Sequence, residues 1–249
     1  TAEMALAVGA GHQLIAAPAS TPSLPAHVLA IRAFGGIDRE AILALEPDLV
    51  LAWSSGNRAA DLRWLEQQGL PVFRSDPTDI QAIAADMLRI GELSGHPAEA
   101  KAATGRLLQD IHNHCDGLLR KQIYVAVWDR PALTIGGKHW INDALSKAAL
   151  DNTFGEVSRG IFPVEREARA DKSRLQQLKL QTPTEHPIEN HLVADGLSRP
   201  GPSLGAALAD LCEMRRLSTS NWAKEPLTRA PKPAIMRTSL PCKPDQPNP

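Results

Sequence analysis

The chain is poor in aromatic residues, in cysteine and in net charge. Of its 249 residues only ten are aromatic, and 27 lysines and arginines stand against 28 acids. A balance that even gives no global field to draw nucleic acid or an anionic membrane surface, so any ligand must be recognised locally. The three cysteines, Cys115, Cys212 and Cys242, are odd in number and widely spaced. Such spacing suggests neither a disulfide framework nor a zinc site. No apolar run approaches the roughly 20 residues that cross a bilayer, and no basic stretch followed by an apolar one opens the chain, which reads as lacking an export signal of its own.

Familiar catalytic patterns are missing as well. There is no Gly-x-Ser-x-Gly elbow and no His-Glu-x-x-His helix, and "TIGGKHW" lacks the glycine spacing and the Ser or Thr of a phosphate-cradling loop. "IHNHCDG" sets His112, His114 and Cys115 within four residues. On a helix, residues two apart point to different faces, so only His112 and Cys115 could share a metal ion. That stretch reads as a polar helical face, and His12 and His139 read as surface or loop histidines.

What is present is an alternation of elements up to about Ala168. "EMALAVGAG" has the form of a short helix and "QLIAAP" of a strand. "DREAILALE" is a helix with Asp38 at its cap, stopped by Pro47 before the strand "DLVLAW". "RAADLRWLEQQG" places Leu62 and Leu65 one turn apart, with Gly69 at the end, before the strand "LPVFRSD". Ile80, Ile83, Met87 and Ile90 then mark the next helix. Strand-helix alternation of this kind predicts a parallel sheet with right-handed crossovers. From Pro97 the spacing of Leu107, Leu108, Ile111, Leu118 and Leu119 predicts one helix reaching Lys121, about 36 Å long. A second α/β unit follows: the strand "IYVAVW", a turn around "DRPALTIGGKH" and the helix "WINDALSKAAL".

Several aromatics fall where strands end: Trp53 after "DLVLA", Phe73 in "LPVF" and Trp128 after "YVAV". Ligands of open α/β sheets bind outside the carboxyl ends of the strands, where aromatic faces suit flat molecules. Phe73 is expected to cap the core. Trp53 and Trp128, each beside a turn, fit a core role or a ligand wall equally.

Taken in order, "TAEMALAVGAG", "IDREAILALEPDLVLAWSSGN", "LEQQGLPVF", the helix from Pro97, "TIGGKHWINDALSKAAL" with "DNTF", and "FPVEREA" resemble the periplasmic substrate-binding proteins of ABC importers for cobalamin, haem and ferric siderophores. The resemblance covers residues 1–168 and is greatest for the cobalamin-binding branch. It implies an α/β fold of two lobes joined by one long helix: a first lobe over 1–95, a linking helix over 96–121 and the start of a second lobe over 122–168. It also implies a binding protein rather than an enzyme, a cobalamin-like corrinoid carried as cargo with no cofactor or resident metal, a monomer in the periplasm, and an ABC permease as partner.

Carried over by position, Trp53, Trp128 and Phe162 would contact the ligand, whereas Arg74 stands where the cobalamin branch has another aromatic. Glu167 in "VERE" matches one acid of the pair that engages the permease. The other falls at Ala59, with Asp61 the nearest acid. Relative to the family pattern the first strand of the first lobe and most of the second lobe are absent or unrecognisable. Residues 169–249 read as an unrecognisable proline-rich tail, loop or disordered, holding eleven of the 20 prolines, and the break at Ala168 and Arg169 has the form of a reading-frame change. Other readings are a haem or siderophore carrier of the same family, a metal-dependent enzyme on the same architecture, and a receptor too incomplete to fold.

Overall fold

A computed structural model of the chain describes residues 1–31, 36–111, 115–129, 131–165, 177–179, 191–193 and 195–217. The first lobe runs α1 (Ala2–Ala7), β1 (Ala16–Pro18), β2 (Leu29–Ile31), α2 (Arg39–Ala44), β3 (Val50–Trp53), α3 (Ala59–Gln67), β4 (Val72–Ser75) and α4 (Ile80–Ser94). The Asp38 carboxylate accepts the backbone N–H of Ala41 at 3.0 Å, capping α2. Gly69 takes a φ of +82° just past α3, a conformation that costs glycine little. Strands β1 and β2 pair in parallel, as do β3 and β4, with Trp53 opposite Ser75 at the carboxyl ends.

The linking helix is shorter than its spacing predicts. As α5 it covers Pro97–Asp110, 14 residues or about 21 Å. Residues 115–117 form a turn that ends with Gly117 at a φ of +79°, and Leu119 is 69% exposed instead of covering a helical stripe. Both ends of α5 nevertheless lie in one continuous core. It joins Ile83, Met87 and Ile90 of α4 to Ala100, Ala103 and Leu107 of α5, and onward to Ile123 and Val125 of the second lobe. The helices α4 and α5 approach so closely that a β-carbon on Gly91 would stand 2.2 Å from that of Ala100.

The second lobe contains β5 (Lys121–Ala126), β6 (Trp128–Asp129), β7 (Ala132–Ile135), α6 (Ile141–Lys147), β8 (Leu150–Asn152), β9 (Ile161–Pro163), β10 (Gln177–Lys179), β11 (His191–Val193) and α7 (Leu204–Leu217). Its main sheet is parallel, in the order β11-β10-β5-β8. The segment expected as a turn around "DRPALTIGGKH" is instead partly strand, because β7 pairs antiparallel with both β6 and β9.

Two expectations about the rest of the chain are corrected. After residue 169 the structure still supplies β10 beside β5, β11 beside β10, and the helix α7, which buries Leu204, Leu208 and Leu211 in the common core. Three-residue strands carry too little pattern to read in a sequence, and the prolines ahead of α7 mask its period. The cysteines do form a bridge: Cys115 is bonded to Cys212 across 97 residues, with their Cα atoms 5.2 Å apart. Only the packing of α7 beside α5 brings the two together, which spacing alone cannot reveal. The proline-rich stretch from 229 onward lies outside the described residues.

Candidate ligand-binding site

Strand β3 delivers Trp53 to its carboxyl end, where the chain turns at once. The Trp53 N–H donates to the Asn57 side-chain oxygen at 3.0 Å, and the Asn57 N–H donates back to the Trp53 carbonyl at 2.9 Å. Gly56 lies against the indole. The loop is tied to β4 by Ser54 N–H donating to the Ser75 carbonyl at 2.8 Å and by the Ser55 hydroxyl donating to Asp76 at 2.7 Å. The indole is thus half-buried and held by its own turn.

In the second lobe, Trp128 is 44% exposed on β6, opposite Leu133 of β7. Phe162 sits on β9 opposite Thr134 and meets Phe154 edge to face at 5.7 Å, and Phe154 meets Tyr124 in the same manner at 6.1 Å. Tyr124, the single tyrosine of the chain, is buried in β5.

The chain running from β7 to α6 is held by two asparagines. Asn142 donates its amide to the carbonyls of Gly136 at 2.7 Å and His139 at 3.0 Å. Asn152 donates to the Ile135 carbonyl and to the Asn142 side-chain oxygen, both at 2.9 Å, and accepts the Phe154 N–H at 3.1 Å. The opposing loop approaches so closely that a β-carbon on Gly137 would fall 2.2 Å from the Gly155 carbonyl oxygen. His139 belongs to this loop. Burial pushes its imidazole from 6.5 down to about 4, with Asp76 across from it opposing the shift. His139 Nδ1 accepts the Ile141 N–H at 3.3 Å, so in the neutral ring Nε2 carries the proton. Of the two readings of His139, surface or loop, it is the loop that holds, with the ring largely withdrawn from water.

Asp61 is not an exposed acid. It is 6% exposed, and its Oδ1 accepts from Arg39 Nη2 at 2.7 Å and Nε at 3.2 Å. The Arg39 hydrogen bonds hold its carboxyl below the usual carboxylate range. Its role as a docking acid is therefore withdrawn, since the carboxylate is already engaged inside the lobe. Glu167, His112 and His114 lie outside the described residues. Cys115 is consumed by its disulfide. Arg74, in place of an aromatic, donates through Nε and Nη2 to the two oxygens of Glu66 at 2.8 and 2.9 Å.

The sequence profile of the periplasmic binding protein family matches residues 1–174. The chain belongs to that family. Among its curated relatives, the vitamin B12-binding protein of Yersinia pseudotuberculosis serotype O:3 is 29% identical over 232 residues, covering 86% of this chain and 82% of the relative. The vitamin B12-binding protein of Yersinia pestis (strain Pestoides F) is 33% identical over 161 residues, 63% of this chain and 58% of that one. In fold, this periplasmic binding protein is similar to the periplasmic vitamin B12 binding protein of Vibrio cholerae, with a TM-score of 0.72, 22% identity, and 88% and 94% of the two chains covered. A periplasmic haem-binding protein solved with two haems gives a TM-score of 0.68 at 18% identity, covering 86% and 94%. These relatives are binding proteins, and at the level of the family so is this one.

Sequence reasoning passed over Gly56, Asn142 and Asn152. Gly56 stands three residues after Trp53, but nothing in "AWSSGN" announces that the indole folds back onto it. The asparagines lie in "WINDALSKAALDN", ten residues apart, with no periodic signal to pair them.

Proposed function

We propose that the protein captures a cobalamin-like corrinoid between its two lobes and delivers it, chemically unchanged, to the permease of an ABC importer. One observation carries this reading: Trp53 is fixed at the carboxyl end of a parallel strand by its own turn, where such sheets bind flat ligands. The similarity to vitamin B12-binding proteins supports the choice of cargo. In this reading Trp53 faces the ligand from the first lobe, and Trp128 and Phe162 from the second. Aromatic contact and a few polar anchors suffice for a macrocycle held in a largely preformed site. Glu167 would meet the permease. The Cys115–Cys212 bridge suits an oxidising compartment such as the periplasm.

Haem is the second cargo to weigh, given the likeness of fold to a haem-binding protein. Iron in haem needs an axial donor, whereas the cobalt of cobalamin carries its own. Tyr124, the sole tyrosine and one such donor, is buried in β5, and the similarity to vitamin B12-binding proteins favours the corrinoid. The metal-enzyme reading loses Cys115 to the disulfide.

Titration with cyanocobalamin, followed by tryptophan fluorescence, tests the proposal. Saturable quenching that Trp53→Ala weakens by at least about tenfold is expected, equivalent to about 1.4 kcal/mol of lost aromatic contact. Quenching by haem or a ferric siderophore alone would reassign the cargo, and no response to any of the three would end the proposal.

A further inference from the structure

Hydrogen bonds and the short stretches of chain between them link the Trp53 turn to the Phe154–Phe162 pair, with two adjacent residues of α6 at the centre. Asp76, which accepts from Ser55, lies in the loop between β4 and α4. At the end of that loop, the N–H of Ile80, the first residue of α4, donates to Asp143 Oδ2 at 3.2 Å. The N-terminus of α4 is thus satisfied from both lobes: Asp79 accepts the Ala82 N–H at 2.7 Å, and Asp143 reaches across from α6. Beside Asp143, Asn142 holds the carbonyls of Gly136 and His139 and receives Asn152, which in turn fixes the Phe154 N–H. Phe154 packs edge-on against Phe162. Neighbouring helical residues diverge by about 100°, so one can face the other lobe while the next faces its own loop.

We propose that Asn142 and Asp143 are positioning residues that set the spacing between the two aromatic walls of the ligand site. Asp143 anchors the start of α4, and with it the β4–α4 loop bonded to the Trp53 turn. Asn142 anchors the Gly136–His139 segment and, through Asn152, the aromatic pair. The inference rests on the proposed function for what the spacing accommodates, and on geometry alone for the coupling. Neither residue needs to touch the ligand, since a displaced wall loses contact that a held wall keeps.

The test uses the full chain and two readouts: amide hydrogen exchange and cyanocobalamin affinity. In Asp143→Ala, exchange at residues 80–83 should rise about tenfold with 153–160 unchanged, and affinity should fall about tenfold. Asp143→Asn keeps an oxygen that accepts the Ile80 N–H and should restore both, which a requirement for the negative charge would not allow. Asn142→Ala should release 136–140 and 153–160 together. Asn142→Asp retains the acceptor for Asn152 but neither donor, so it should release 136–140 alone and also remains informative if the alanine variant does not fold. Wild-type affinity in Asp143→Ala, or release of 136–140 alone in Asn142→Ala, would overturn the proposal. Should the wild-type protein bind no macrocycle, the cargo assignment fails, while the exchange pattern still decides whether α6 couples the two walls.

Discussion

Gly56 lies against the indole of Trp53, so closely that a β-carbon at residue 56 would stand 2.2 Å from Cε3 of the ring. The tryptophan is therefore oriented by an absence of side chain. Gly56→Ala must push the ring aside or open the turn. We expect cyanocobalamin affinity to fall by about tenfold in this variant, approaching the effect of removing the indole itself. Isothermal titration measures it, and an unchanged affinity would mean that the ring orientation is immaterial.

His139 should make the fold sensitive to acid. Its folded pKa is depressed from 6.5 to about 4, so between those values the unfolded chain binds more protons than the native one. Its contribution is full above pH 6.5 and is lost as pH falls toward 4. Between pH 7 and pH 5 the loss amounts to about 2 kcal/mol by linkage. Urea midpoints at the two pH values read this directly, and His139→Gln should flatten the difference.

The bridge between Cys115 and Cys212 closes a loop of 97 residues. Long loops gain the most from closure, up to about 4.7 kcal/mol for 100 residues, with measured gains commonly smaller. In a Cys242→Ser background, the further replacement of Cys115 and Cys212 by serine should lower stability by about 3 kcal/mol. Equal denaturation midpoints with and without dithiothreitol would contradict this.

Asp61 acts within the first lobe. Arg39, which it holds, also lies over the Trp64 ring at 4.9 Å, so the carboxylate positions a cation on an aromatic face as well as pairing with it. Asp61→Ala should cost about 2 kcal/mol, typical of a buried hydrogen bond to a charged group. Guanidinium unfolding of the variant provides the measurement, and a change below a few tenths of that would show the pair to be dispensable.

The first lobe was largely legible because its signals are local. Asp38 caps α2, Pro47 stops the helical stretch ahead of β3, Gly69 takes its positive φ, and Ile83, Met87 and Ile90 repeat at helical spacing. Each of these is decided within a few residues of the chain. The second lobe is decided at a distance. Strand β10 lies beside β5 more than 50 residues after it, as Gln177 against Tyr124 shows, and Cys212 finds Cys115 only once α7 is packed. Leu118 and Leu119 mislead for a related reason: they continue the period of α5, but the turn at Gly117 removes them from it. The candidate site divides in the same way. Trp53 was visible as a strand-end aromatic, whereas Asp61 was mistaken for a surface acid because its partner Arg39 precedes it by 22 residues.

The place of α7 also sets an order of events for the nascent chain. Leu204, Leu208 and Leu211 complete a core whose earlier members begin at Met4, so the hydrophobic interior stays open until more than 200 residues have been made. Contacts of such sequence separation make folding slow. During that interval the faces of α5 and α6 that α7 later covers are bare to water and to other chains. Its yield on refolding should therefore depend more on protein concentration than on final stability.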